Sequence, residues 1–222
     1  MPSPRTSERI VGASGILFAI GAVVGFGVLV GSVPGPGADA EEVRDFLSRS
    51  DARVWTGGYI GLLAQLAFLV FVVSLWGMLR TAEGGTGWVS TLGLAAAVTA
   101  AATVLAADLV PGAAVFSHGS RVDPATAALL LDEKKLAEMA TVPLFGLFLG
   151  SVAVVALQVA ALPRWLGWSA AGIASLSVVT VPLGYETSQI PVFLTVVWIV
   201  ALSVRLLARP LAAPATPPAG TA

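Results

Sequence analysis

Residues 54–79 read VWTGGYIGLLAQLAFLVFVVSLWGML, a run without a single charged side chain. A helix rises about 1.5 Å per residue and the hydrocarbon core of a bilayer is about 30 Å thick, so about 20 apolar residues in succession suffice to cross it. The run does not alternate apolar with polar residues, as a membrane strand would, so a helix is the form that closes its backbone hydrogen bonds inside lipid. Blocks of the same kind occupy residues 10–31, 87–107 and 139–162, and shorter ones lie at 165–183 and 190–208. The last reaches full length with Arg205 at the interface, its guanidinium snorkelling toward the headgroups. Six spans follow, which makes this an all-α membrane protein.

Composition agrees. Of 222 residues, 56% are hydrophobic and 11% are charged, against about 25% charged in soluble domains. The absence of cysteine excludes disulfides and thiolate metal sites, and one histidine cannot build a multi-His centre, so no metal or cofactor is expected. A net charge of −1 without clustered Lys and Arg gives no reason to expect nucleic acid. The partner named by the composition is the lipid bilayer. Scarce lysine beside arginine, with abundant Ala, Val and Gly, is associated with GC-rich bacterial genomes and so with a bacterial cell membrane.

The first block follows Arg5 and Arg9 and precedes the small-x-small stretch Ala38-Asp39-Ala40, but it is too long for a signal peptide and is taken as a true span. With the N-terminus inside, Arg5, Arg9, Arg80, Arg164, Arg205 and Arg209 fall in short cytoplasmic segments near span ends, and Arg44, Arg49, Arg53, Arg121, Lys134 and Lys135 fall in longer outer ones. The positive-inside rule then puts both termini in the cytoplasm. Residues 1–9 form a cytoplasmic N-terminus, 10–208 the membrane domain, and 209–222 a disordered tail too poor in large apolar residues to pack. Trp76, Trp88, Trp165 and Trp168 mark an inner aromatic belt; Trp55, Tyr59 and Tyr185 mark the outer side.

The spans group into three hairpins, the first two with a short amphipathic helix in the outside loop. Val33-Pro34-Gly35 and Val110-Pro111-Gly112 should end spans, since proline cannot continue a helix. Asp39, with Glu42 in the capping-box position, and Asp123, followed by Pro124, are predicted caps of the outside helices. The separation of Asp39 from Arg80 equals that of Asp123 from Arg164, which either reflects an internal duplication or arises by chance in so repetitive a composition.

In layout the chain resembles an uncharacterised family of bacterial six-helix integral membrane proteins, grouped under a domain of unknown function. The similar stretches are Glu8-Arg9-Ile10-Val11-Gly12, the acidic segment 38–53, Leu75-Trp76-Gly77-Met78-Leu79-Arg80, and Leu162-Pro163-Arg164-Trp165-Leu166-Gly167-Trp168. The resemblance implies a membrane bundle and supplies no catalytic residue.

Three sets of residues are candidates for function. Gly21 with Gly25, Gly27 with Gly31, Gly57 with Gly61, and Gly146 with Gly150 are each four apart and open grooves for close helix packing, within one molecule or with a protein partner or second copy. Gln65 and Gln158, polar inside spans, are either interhelical glue or, facing the interior together, a substrate-binding pair for a small transporter or channel. Asp108, His118 and Glu138 are weak catalytic candidates for a membrane enzyme acting on a lipid or isoprenoid at the outer interface. Asp108 could equally be capped by water or paired with Arg53, and Tyr185 and Glu186 are further polar residues of that face. Convergence of the three within about 6 Å would make an ionisable site; divergence would leave a binding or structural role. The lack of ionisable groups buried within the spans, where proton relays and ion paths place them, favours a non-enzymatic role as a sensor, partner-binding or assembly protein, and phosphate-binding loops, zinc helices and nucleophile elbows are absent from the sequence.

Overall fold

The computed structural model describes the backbone of residues 4–30, 34, 37–39, 41–43, 45, 52–118 and 123–208; within these, the side chains of 4–5, 26, 28–30, 52–55, 109–118 and 124 are not described. The described residues form helices joined by short connections, and no strand is found among them. Helix α1 is Pro4–Ala22 and continues as a π-helix, Val23–Val30. Then come α2 (Ala52–Glu83), α3 (Trp88–His118), α4 (Pro124–Val159), α5 (Arg164–Thr180, with a 3₁₀ turn Val181–Leu183) and α6 (Tyr185–Ala208). All six are long and apolar enough to cross a membrane, so the chain is a multi-pass helical membrane protein.

The helices close into a ring in chain order, α1 packing on both α2 and α6, while α4 also reaches α2 and α6 and so forms the hub. At that hub Phe68 meets Phe18 of α1 at 5.0 Å and Phe145 of α4 at 5.9 Å between ring centroids. Phe71, Leu75, Leu149, Ile199 and Leu202 are fully buried around them. The centre is therefore side chain. A cavity of about 10 Å³ beside Val72, Ser90, Gly93 and Ser151 has room for about one water.

Small residues decide how near the helices come. In lipid, apolar side chains gain nothing by leaving solvent, so association depends on contact that small residues permit. A Cβ added to Gly25 would stand 2.8 Å from the Gly57 carbonyl oxygen, and one on Gly21 2.8 Å from the Ala64 Cβ. Gly57 and Gly61 are themselves buried. A Cβ on Gly146 would meet the Ser177 Cβ at 2.9 Å, and Gly150 faces Ala174 more loosely at 3.8 Å. Gly27 has open space around it, and Gly31 lies outside the described residues.

Several boundaries differ from those predicted. Proline was expected to stop the third span at Pro111, yet α3 runs on to His118. The second outside helix and the fourth span are one helix, α4, because the charged run Asp132 to Lys135 consists mostly of good helix formers and does not interrupt the backbone. Asp123 caps it, accepting from the Thr126 N–H at 3.1 Å, with Pro124 at the first position. Asp39 caps the helical residues 41–43 through the Glu41 and Glu42 N–H groups, at 3.0 and 2.8 Å. The two matched arginines are not in equivalent places: Arg80 stands in the last turn of α2, whereas Arg164 opens α5. The tail 209–222 lies outside the described residues.

The α2–α3 turn is held by Glu83, whose carboxylate accepts from the Val89 and Ser90 N–H groups at 3.1 and 2.9 Å and from the Ser90 hydroxyl. This places a negative charge at the positive end of α3.

The glycine contacts give a test. Replacing Gly25 by Ala forces two backbones apart and should cost about 1–3 kcal/mol, lowering the thermal midpoint of the detergent-purified protein. Gly27→Ala, which meets nothing within 4 Å, should leave that midpoint nearly unchanged.

Candidate functional site

Trp88 and Val159 stand near one rim of the bundle, where Trp88, Trp165 and Trp168 are exposed. Twenty residues separate Trp88 from Asp108, an axial distance of about 30 Å. Glu138 and Lys134 lie about 32 and 38 Å from Val159 by the same measure, and Tyr185 about 35 Å from Ala208. All four therefore reach the opposite rim together, one hydrocarbon thickness away.

There they form one cluster. The Lys134 Nζ donates to Asp108 Oδ1 across the α3–α4 contact and to Glu138 Oε1, one turn along α4, at 2.6 Å. The second Glu138 oxygen accepts from the Tyr185 hydroxyl at 2.6 Å, tying α4 to the start of α6. Lys135, the next residue, turns about 100° away around the helix and lays its ammonium 4.4 Å from the centre of the Tyr185 ring. The ion-paired side chains keep 15% exposure at Lys134 and about a quarter at the two carboxylates. In such surroundings each charge depends on its neighbour more than a surface pair would.

Two of the three predicted catalytic candidates thus converge, on a lysine that satisfies both. Asp108 pairs with Lys134, because the antiparallel approach of α3 and α4 puts 108 opposite 134; the side chain of Arg53, its other expected partner, lies outside the described residues. His118 closes α3, and its side chain lies outside the described residues. Among the described residues no group of three His, Cys, Asp or Glu could hold a metal. The cluster can bind charge and transmit strain between three helices, but each of its carboxylates is already engaged by a donor.

Gln65 and Gln158 do not form a pair. Gln65 is buried in α2, whereas Gln158 is exposed one residue from the end of α4, near the Trp88 rim. Counting from Glu83, Gln65 lies about 27 Å from that rim, so the two amides are nearly a bilayer apart. Lys134 and Tyr185 are what sequence reasoning missed as partners. The available signal was the four-residue spacing of Lys134 and Glu138, which puts them on one helix face.

Beyond the cluster, α4 continues outward. Val43 is fully buried against Ala127 and Leu131 of this extension, and the Gly37 N–H donates to Asp132 at 3.2 Å. Leu129 and Leu136, seven apart, remain exposed on another side at 69% and 68%. Comparisons with protein-family models, curated proteins and solved structures give no match, so roles rest on this geometry alone.

The cluster predicts an order of stabilities. Lys134→Met leaves two neighbouring carboxylates without their cation and should cost about 3–5 kcal/mol. Tyr185→Phe removes one hydrogen bond to a charged group and should cost about 1.5–3 kcal/mol. Thermal unfolding of the purified variants checks the order; a Lys134→Met protein as stable as the parent would show that the pairing is not formed.

Proposed function

We propose that the chain is a non-enzymatic polytopic membrane protein with a sensor or assembly role, acting by presenting the α3–α4 arm to a protein partner. The observation that carries this is the engagement of the polar cluster: Lys134 holds one oxygen of each carboxylate and Tyr185 holds the remaining Glu138 oxygen. A general acid or base needs a group free to exchange a proton with substrate, and here the groups are spent on fixing helices to one another. What they fix is unusually long. α3 has 31 residues and α4 has 36, about 46 and 54 Å of helix, against about 30 Å of hydrocarbon.

The arm extends past the membrane and carries exposed Leu129 and Leu136, with exposed Glu133 between them on the same side. Leu129, about 45 Å from Val159, stands well past the hydrocarbon and Leu136 near the headgroups, and exposed apolar side chains on a rigid helix beyond the membrane core mark an interaction surface. Photo-crosslinking residues placed at 129 and 136 should trap one protein partner of discrete mass in cells, whereas the same probe at lipid-facing Val154 should trap none. Equal or absent adducts at all three positions would overturn the partner-presenting role.

The location proposed is a bacterial cell membrane with both termini cytoplasmic, supported by the arginines near the Trp88 rim and the positive-inside rule. Since the chain has no cysteine, single substitutions report topology directly. Glu186→Cys should react with a membrane-impermeant maleimide added to intact cells, and Thr86→Cys should react only after lysis. The reverse pattern would invert the orientation.

A further inference from the structure

The turn that joins α2 to α3 seats one arginine, and the arm-presenting role makes no use of it. Arg80 lies in the last turn of α2. Its Nη1 donates to the Thr86 carbonyl at 3.1 Å and to the Thr91 hydroxyl oxygen at 3.3 Å, and its guanidinium carbon stands 5.7 Å from the centre of the Trp76 ring. Trp76 Nε1 donates to the same hydroxyl oxygen at 3.5 Å, so one threonine aligns both side chains. Gly87, with φ +60°, leaves the room: a Cβ there would come within 2.9 Å of Arg80 Cγ and Nη1.

What holds the guanidinium is neutral. A carbonyl, a hydroxyl and a ring fix its position without cancelling its charge, and among the described residues no carboxylate lies within ion-pair distance of it. Glu83, three residues on, has its oxygens engaged by Val89 and Ser90. A guanidinium carries five N–H donors, two of them on Nη1. The three on Nε and Nη2 bond nothing among the described residues, and Arg80 is exposed. Those two nitrogens lie side by side, the arrangement with which arginine grips two oxygens of one phosphate or carboxylate. Arg164 is the contrast: exposed at the same rim at the start of α5, it bonds nothing among the described residues.

Depth supplies the oxygens. By its two bonds the guanidinium lies between the levels of Thr86 and Thr91, hence beside Trp88, which marks the hydrocarbon edge about 30 Å from Asp108. Lipid phosphates occupy that layer in either orientation of the chain, and Trp88, 65% exposed, suits the same interface. The geometry points to a phosphate-binding site at the α2–α3 turn, in which the Nε–Nη2 edge of Arg80, aligned by Thr86, Thr91 and Trp76, takes the phosphate of a lipid headgroup or free phosphate. The depth favours the lipid.

Native mass spectrometry of the full chain, purified in a neutral detergent without phosphate, tests this with three probes: phosphatidylglycerol, a diacylglycerol glycolipid lacking phosphate, and inorganic phosphate. The wild type should retain phosphatidylglycerol in preference to the glycolipid. Arg80→Gln should weaken that retention by about tenfold, the loss of a charged donor, and Arg164→Gln by no more than about twofold, as for an unaligned surface charge. Arg80→Lys, which keeps the charge without the fork, should weaken it severalfold. Thr91→Val leaves Arg80 its charge but removes the oxygen that aligns it; it should weaken retention severalfold and serves should Arg80→Gln not fold. If inorganic phosphate displaces the lipid and raises the melting temperature of wild type but not of Arg80→Gln, the site stands with free phosphate as an occupant. Equal losses from Arg80→Gln and Arg164→Gln, the mark of diffuse surface charge, or equal retention of the phosphate-free glycolipid, would overturn it.

Discussion

Hydrocarbon offers no hydrogen-bond partner, and the rest of this structure is arranged around that constraint. Backbone groups are satisfied inside helices, and so are most polar side chains of the spans. Ser14, Ser151, Ser177 and Thr195 each donate to the carbonyl four residues earlier, at 2.7, 2.9, 2.9 and 2.7 Å. Trp198, buried in α6, donates to the Leu166 carbonyl at 3.0 Å and so pins α6 to the first turn of α5. With polarity absorbed locally, helix association falls to shape: glycines where backbones touch, aromatic rings at the hub. Charge survives only at the rims.

That division explains what was legible in the sequence. The apolar runs state the six helices because length and hydropathy are the physical requirements of a span. Asp39 and Asp123 were readable as caps because the capping bond is made within three residues. Helix ends were less readable. Pro111 lies inside α3, and Pro143 and Pro191 lie inside α4 and α6; a proline removes one backbone bond, but neighbouring groups in a bundle compensate, so the local stop signal fails. Likewise the Asp132 to Lys135 charges end an apolar window without ending a helix.

The polar cluster shows the same limit from another side. Asp108 and Glu138 could be singled out as carboxylates near a span end, but their common partner could not, because the 26 residues between Asp108 and Lys134 become a contact only through the register of α3 against α4. Tyr185 is 47 residues from Glu138 and belongs to a different pair of spans. Gln65 and Gln158 illustrate the converse. Similar in type and in apolar surroundings, they occupy opposite ends of the bundle, one buried and one exposed, because a residue's depth depends on its count from the membrane boundary and its side on the packing.

Lys134 and Lys135 bring these strands together. One helical step of about 100° separates a cation that closes the α3–α4 contact from one that faces α6, so adjacent identical residues cannot share a role. Lys134 is neutralised by fixed carboxylates and contributes rigidity. Lys135 lays its ammonium over the face of a tyrosine whose own hydroxyl is bonded to Glu138. The Tyr185 ring is thereby held by a carboxylate at one end and covered by a cation on its face, and a change in the charge seen by either lysine acts on the same side chain.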